Sequence, residues 1–324
     1  MKGYSDIGNT ADVLKKNMKM KVRQQIVRWA SRLINLFFYL CLLATIYIVM
    51  QVFVVTSFSI PSDSMSPSIL AGDCALVDKC SGGARIFNVL KALDSKDVNI
   101  YRMPGWRNFK RNDVLVFNFP YKAERWDSIA FDVMKYYVKR CVALPGDTLE
   151  IRNGYYKLRG VSGEIGSLIA QQQIAALPDS GTNVVIPCFP WNDKLKWTIK
   201  EFGPLPVPAK GQVVKMNSLS YTLYRQLINW EQKQLSRMNE AGEILLGDSV
   251  VREYCFQENY YFMAGDNAYN SQDSRYWGML PESFIVGRAV RVWKSVNPDT
   301  DEIRWNRILR KIKSVSYTHL RAHE

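Results

Sequence analysis

Outside its last six residues the chain has no histidine, since both, His319 and His323, fall there. Acid–base chemistry in the body of the protein must therefore use another side chain. CxxC pairs are also missing, and no histidine lies near any of the six cysteines, which argues against zinc. Neither a metal nor a cofactor is expected. Charge is absent from residues 33–56, and a basic excess is absent from most of the chain. Of the net charge of +13, residues 1–32 carry +6 and residues 304–313 carry +5. A nearly neutral body between two basic ends argues against a nucleic-acid-binding surface and for contact with anionic lipid. No internal repeat is visible.

At about 1.5 Å per residue, the uncharged run 33–56 spans a hydrocarbon core of about 30 Å as a helix. The rival is a removable signal peptide, whose apolar core would be about 7–15 residues and be followed by an Ala-x-Ala site. This run is longer and lacks that site, so a retained anchor is expected. Eight Lys/Arg precede it, and the next positive residue is Lys79. The positive-inside rule then places 1–32 in the cytoplasm and everything after residue 56 outside. Cys41 lies within the run. Among Cys74, Cys80, Cys141, Cys188 and Cys255 a bridge could form in an oxidising space, but spacing does not choose a pairing.

Beyond the run the pattern is mainly strand. Runs at 75–78, 113–119, 136–143, 148–152, 155–158, 184–186, 212–215, 249–256 and 284–293 are β-type. Asn153-Gly154 marks a hairpin. One helix is expected at 218–238, with Leu223, Leu227 and Trp230 on one face. Residues 155–250, with their Gly/Pro-rich stretch 203–208, read as an insertion. Trp305, Ile308, Leu309 and Ile312 repeat at helical spacing among basic residues. That suits a basic amphipathic helix at 301–313, lying on a membrane or packed on the domain. The ending 314–324 has no periodicity and reads as translated adapter sequence joined to a truncated frame.

Just after the apolar run, Ser64 stands between Pro61 and Pro67. Proline fixes its own φ and restricts the residue before it, so this serine sits on stiffened backbone, as a nucleophile requires. A hydroxyl-rich juxtamembrane loop is the plain alternative. Ser64 is about eight residues past the run, at most roughly 28 Å when extended, which keeps its chemistry near the membrane. Without histidine, lysine is the usual activating base, and Lys139 in the run 136–147 is the candidate. On a strand it shares a face with Tyr137, Cys141 and Ala143, while Arg140 points the other way. Keeping a lysine neutral at pH 7 costs about 4.6 kcal/mol from an ordinary value near 10.4, within the reach of full burial. A surface Lys-Arg pair is the alternative. The Gly/Asn/Asp/Ser-dense stretch 265–278 should form a tight, side-chain-bonded loop, and its spacing does not fit an EF-hand.

Together, Pro61-Ser62-Asp63-Ser64-Met65-x-Pro67, Gly72-Asp73, the run from Tyr137 through Lys139-Arg140 to Leu144-Pro145-Gly146-Asp147, and Gly265-Asp266-Asn267 with Ser271-x-Asp273-Ser274-Arg275 closely resemble the type I signal peptidases. These are membrane-anchored Ser/Lys proteases of the S26 family. The motifs cover under a fifth of the chain but run from 61 to 278. The resemblance implies a mainly β fold of antiparallel coiled sheets, preceded by one transmembrane helix. The catalytic domain would lie in two parts, 57–154 and 251–300, around a smaller α+β domain at 155–250. Ser64 would be the nucleophile and Lys139 the general base. The Ser64 N–H and the Ser62 hydroxyl would form the oxyanion hole. Ser271 would hold Lys139 by a hydrogen bond, and Asp266–Arg140 and Asp273–Arg275 would be structural ion pairs. The partners implied are the bilayer and preprotein signal peptides with small residues at −1 and −3, bound by β-augmentation and cleaved at the outer face of the cytoplasmic membrane. Ala268 stands where many relatives have Arg, and Asp63, glycine in some relatives, receives no role. A soluble self-cleaving repressor of the Ser/Lys type is disfavoured by 33–56, and a silent membrane adaptor by the intact Ser64 and Lys139.

Overall fold

The computed structural model describes residues 5–94, 98–121, 126–178 and 188–313. The expected strand at 184–186 and the 314–324 tail lie outside these residues. The chain divides into two units, Met1–Val52 and Phe53–Glu324. The first is a helix, Ser5–Val49, that runs on into a wider-turned segment, Met50–Val54. From Leu33 to Val49 its apolar side chains are exposed on every face. A helix that is apolar all round belongs in a protein core or in a bilayer, and Arg23–Val54 is long and apolar enough to cross one.

The second unit is mainly β. Its largest sheet has seven strands in the order Val55–Ser59, Asp73–Asp78, Ile285–Ser295, Val114–Asn118, Tyr136–Ala143, Tyr260–Ala264 and Leu280–Pro281. Every neighbouring pair is antiparallel. Register shifts within Ile285–Ser295 and at Phe262/Met263 bend the strands. Such bulges raise local twist, which curls the sheet. Ile60, Met65, Ile69, Val77, Val114, Val116 and Val138 form a small core on one side. Leu115, Phe117, Phe119, Phe262 and Trp277 belong to the larger one.

The larger core also takes in the region expected to be an insertion: Leu205, Leu223, Leu227 and Ile228 are buried in it. A second sheet orders Tyr155–Leu158, Thr148–Arg152 and Phe202–Pro206. It begins at Thr148, so the expected border after 154 cuts a hairpin whose turn, Asn153 (φ 49°) and Gly154 (φ 81°), holds two strands of one sheet together. The expected helix is real but shorter, Ser218–Gln232, with Asn217 as its N-cap. It stops because Lys233 turns left-handed (φ 53°), and Ser236–Met238 then becomes a strand. The expected strand 249–256 is divided, Ser249–Val250 pairing with 245–246 and Glu253–Cys255 with 213–215.

The amphipathic helix expected at 301–313 is not formed. Only a single 3-10 turn, Trp305–Arg307, is helical. Residues 310–312 instead lie along Ile285–Ser295, where Val292 N–H donates to the Arg310 carbonyl (3.0 Å) and Ile312 N–H to the Val290 carbonyl (3.0 Å). Buried Arg307 meets buried Asp73 at 2.6 Å. A buried carboxylate must be paired, and this demand outweighs helical spacing among weakly buried side chains.

Candidate active site

The segment carrying Ser64 is pinned from below. Met65 and Ile69 insert into the smaller core. Ile60 N–H donates to the Asp73 carbonyl (2.9 Å), and Gly72 N–H donates to the Ile60 carbonyl (2.8 Å). Gly72 has φ 84°, and a Cβ there would stand 1.9 Å from the Val296 carbonyl oxygen, so only glycine fits this turn. Between these anchors Ser62 and Ser64 face each other, their Oγ atoms 3.4 Å apart. The Ser64 N–H has no hydrogen-bond acceptor among the described residues.

Lys139 reaches this point from Tyr136–Ala143, the fifth strand of the large sheet. Its Nζ donates to Ser64 Oγ at 2.6 Å, with 4% of the residue exposed. The Tyr137 ring lies 5.5 Å from the amine. Burial pushes its pKa down to about 8; Asp273 and Asp266 oppose that shift, and Arg275 assists it. Burial thus takes the amine most of the way to neutrality at pH 7, where roughly a tenth would be free base.

Arg140, on the opposite face, makes a bidentate pair with Asp266, at 2.6 and 2.5 Å. Both are buried. Asp273 accepts from Arg275 through Nε and Nη2, each at 2.8 Å, and from the Gly265 N–H at 3.0 Å. Arg275 Nη2 also donates to the Ala268 carbonyl at 2.7 Å, so the loop is bonded through the backbone of the position where the family pattern departs. These pairs hold 265–275 against the Ser64 segment, where Asn267 N–H donates to the Ser64 carbonyl at 3.1 Å. Gly265 is needed for that approach: a Cβ would fall 2.1 Å from Ser271 Oγ and 2.7 Å from the Ser64 carbonyl oxygen.

One expectation fails. Ser271 Oγ is buried but makes no hydrogen bond, to Lys139 or to any other group, among the described residues. The amine is directed at Ser64, while the Ser271 hydroxyl is lodged against Gly265. Other residues act where none was expected. Asn270 Nδ2 donates to Asp63 Oδ1 at 3.0 Å, so Asp63 ties the two loops together. Tyr137 OH donates to Gln272 Oε1 at 2.9 Å. The loop's richness in Asn and Asp hinted at such contacts but did not specify partners.

Ser64 and Lys139 open onto a cavity of about 420 Å³ walled by Phe58, Ile60, Pro61, Tyr136 and Val138. Next to it, Tyr136–Ala143 is paired on one edge over 136–140, whereas its other edge is paired only over 140–143. Residues 136–139 thus present an open strand edge at the cavity. Among the described residues no three metal-ligating side chains converge. The arrangement offers a desolvated amine on a hydroxyl, an N–H and a second hydroxyl beside it, and a groove for an extended chain.

A family model described as signal peptidase, peptidase S26, matches residues 30–293. Signal peptidase I of Pseudomonas aeruginosa is 31% identical over 260 residues, covering 77% of this chain and 68% of that protein. The enzyme of the same name from Buchnera aphidicola is 28% identical over 277 residues, or 80% and 76% of the two chains. That of Aquifex aeolicus is 26% identical over 258 residues, or 79% and 82%. A crystal structure of a signal peptidase I from Enterococcus faecalis aligns with 56% of this chain and 97% of its own, at 19% identity and a TM-score of 0.28.

Proposed function

The chain belongs to the signal peptidase family, peptidase S26, and from that premise we propose that it cleaves signal peptides from exported preproteins with Ser64 as nucleophile and Lys139 as general base. The carrying observation is the 2.6 Å contact between Lys139 Nζ and Ser64 Oγ, made away from water. In the neutral amine the direction reverses: the hydroxyl donates and the lone pair accepts. Ser64 Oγ attacks the scissile carbonyl carbon as its proton passes to Lys139. The oxyanion is met by the Ser64 N–H and the Ser62 hydroxyl. Collapse releases the mature chain's amine, protonated from Lys139, and leaves the signal peptide as an ester on Ser64. Water, deprotonated by the same amine, then hydrolyses that ester.

The substrate adds to the open edge at 136–139 as an extended strand, its backbone paired and alternate side chains directed into the cavity. Covering the cavity excludes water and lowers the amine's pKa further. Small side chains at −1 and −3 fit because Ile60, Met65 and Val138 close the floor. The work is done outside the cytoplasmic membrane, to which Arg23–Val54 anchors the enzyme as a single span.

Purified chain in detergent, given a preprotein, should yield the mature product. Ser64→Ala and Lys139→Ala should each lower kcat by about three orders of magnitude or more, as loss of either half of such a pair does in hydroxyl-based hydrolases. Cleavage by Ser64→Ala at the wild-type rate would remove Ser64 as nucleophile.

A further inference from the structure

A strongly basic surface of the second unit lies away from Ser64. A cleft of about 600 Å³ opens between 107–113 and 311–313, over Val114 and Ala289. Six cations line it, Arg107, Lys110, Arg111, Arg288, Lys311 and Lys313, with Asp113 the only acid. Three carboxylates engage the arginines: Asp113 holds Arg107 at 2.8 Å, Asp147 holds Arg111 at 2.5 Å, and Asp78 lies 3.8 Å from Arg288. The last distance is too long for a hydrogen bond, and Arg288 Nε is buried with no acceptor among the described residues. Lys110, Lys311 and Lys313 are exposed and have no carboxylate partner among the described residues. Six cations against three carboxylates leave a surplus in a concave site, where field lines concentrate.

Register places this cleft near the chain's exit from its apolar stretch. Val54 is the last residue of that stretch. Val55 pairs with Asp78, and Asp78 pairs with Arg288. Two strand steps of about 4.8 Å therefore separate Arg288 from Val55. Next to the cleft's first residue, Trp106 is 77% exposed, and its N–H donates to the Cys80 carbonyl. Cys80 Sγ in turn lies 3.6 Å from the Phe53 carbonyl oxygen. An exposed tryptophan beside basic residues is the usual composition of a protein surface at headgroup depth.

We propose that this cleft binds the phosphate of an anionic phospholipid headgroup, with Lys110, Lys311 and Lys313 supplying charge and the partly exposed Arg288 guanidinium a further cation. The strand-like placement of 310–312 gives the basic C-terminal stretch this role in place of a surface helix. The cleft also abuts the site's scaffold, because Arg140 Nη1 donates to the carbonyls of Asn112 (2.8 Å) and Lys313 (3.1 Å), one on each wall.

The full chain, purified in a maltoside detergent, should be titrated with dioctanoyl phosphatidylglycerol, dioctanoyl phosphatidylcholine and inorganic phosphate, and bound ligand measured by native mass spectrometry. Phosphatidylglycerol should bind at least tenfold tighter than phosphatidylcholine. That preference should fall at least tenfold in the variant combining Lys110→Gln, Lys311→Gln and Lys313→Gln, and in Lys311→Glu alone. Both keep the ion pairs intact, and preprotein cleavage in detergent verifies their fold. Equal affinity for the two lipids, or unchanged preference in both variants, overturns the proposal. Inorganic phosphate binding as tightly as phosphatidylglycerol would assign the cleft to a soluble anion and overturn the lipid.

Discussion

Lys139 carries the sharpest consequence at the scale of a single residue. Its pKa is pushed down to about 8, chiefly by burial, from an ordinary 10.5. With Lys139 as the proposed base the free amine is the active form, so kcat/KM should rise about tenfold per pH unit below about 8 and level off above it. A rate constant flat from pH 5 to pH 9 would exclude a lysine base. Stability follows the same group with the opposite emphasis. Below about 8 the folded protein must bury a charge that the unfolded chain leaves in water. That cost is about 3 kcal/mol, and it fades as pH rises from about 8 to about 10.5. Urea unfolding of Lys139→Met should lack this rise when compared with wild type. The pairing of Ser64 with Lys139 could be anticipated because the absence of histidine left few bases to consider. Asp63, Asn270 and Gln272 could not, because each makes its contact only when segments distant in sequence meet.

At the scale of elements, the C-terminal stretch shows how a remote partner overrides local pattern. Asp73 is fully buried. Burial alone would raise its pKa, but hydrogen bonds from Arg307, the Leu70 N–H and Ser295, with the charge of Arg307, hold it below the usual carboxylate value. Its stabilising pairs are thus complete above the unfolded carboxylate's pKa and are lost as pH falls through the folded one. Asp73→Asn leaves Arg307 buried without a counter-charge and should cost about 3–5 kcal/mol in urea unfolding. A loss under 1 kcal/mol would mean that 304–313 is held by its backbone bonds alone. Local signals were read correctly where local physics decides. The strands Tyr136–Ala143, Thr148–Arg152 and Tyr155–Leu158 occupy the residues that alternation and the Asn153-Gly154 turn had marked. The helical spacing of Trp305, Ile308 and Ile312 misled because its competitor, Asp73, lies 234 residues from Arg307. The border at 154 cuts the Asn153-Gly154 hairpin, and the third strand of that sheet, Phe202–Pro206, comes from the region beyond it, so 155–250 shares a sheet with what precedes it.

At the scale of the whole molecule, charge and apolar length together argue for the side of the membrane on which the proposed chemistry occurs. Eight Lys/Arg precede the uncharged run 33–56, and none follows it before Lys79. Moving the basic segment across a bilayer is the costlier alternative, so the orientation proposed here keeps it in the cytoplasm and exports Phe53–Glu324. Cys255 gives a direct test, since it is exposed on that unit, whereas Cys141 is buried and Cys74 and Cys80 are half-buried. A membrane-impermeant maleimide applied to intact spheroplasts should label the wild-type chain, and Cys255→Ser should lose most of that label. Labelling of Cys255 only after lysis would invert the orientation. It would also separate the enzyme from its substrates, because preproteins present their cleavage sites on the far side after translocation. The same result would move the surplus cations of the 107–113 and 311–313 cleft to the inner leaflet without altering their chemistry. Orientation and headgroup binding therefore fail independently, and each experiment judges its own claim.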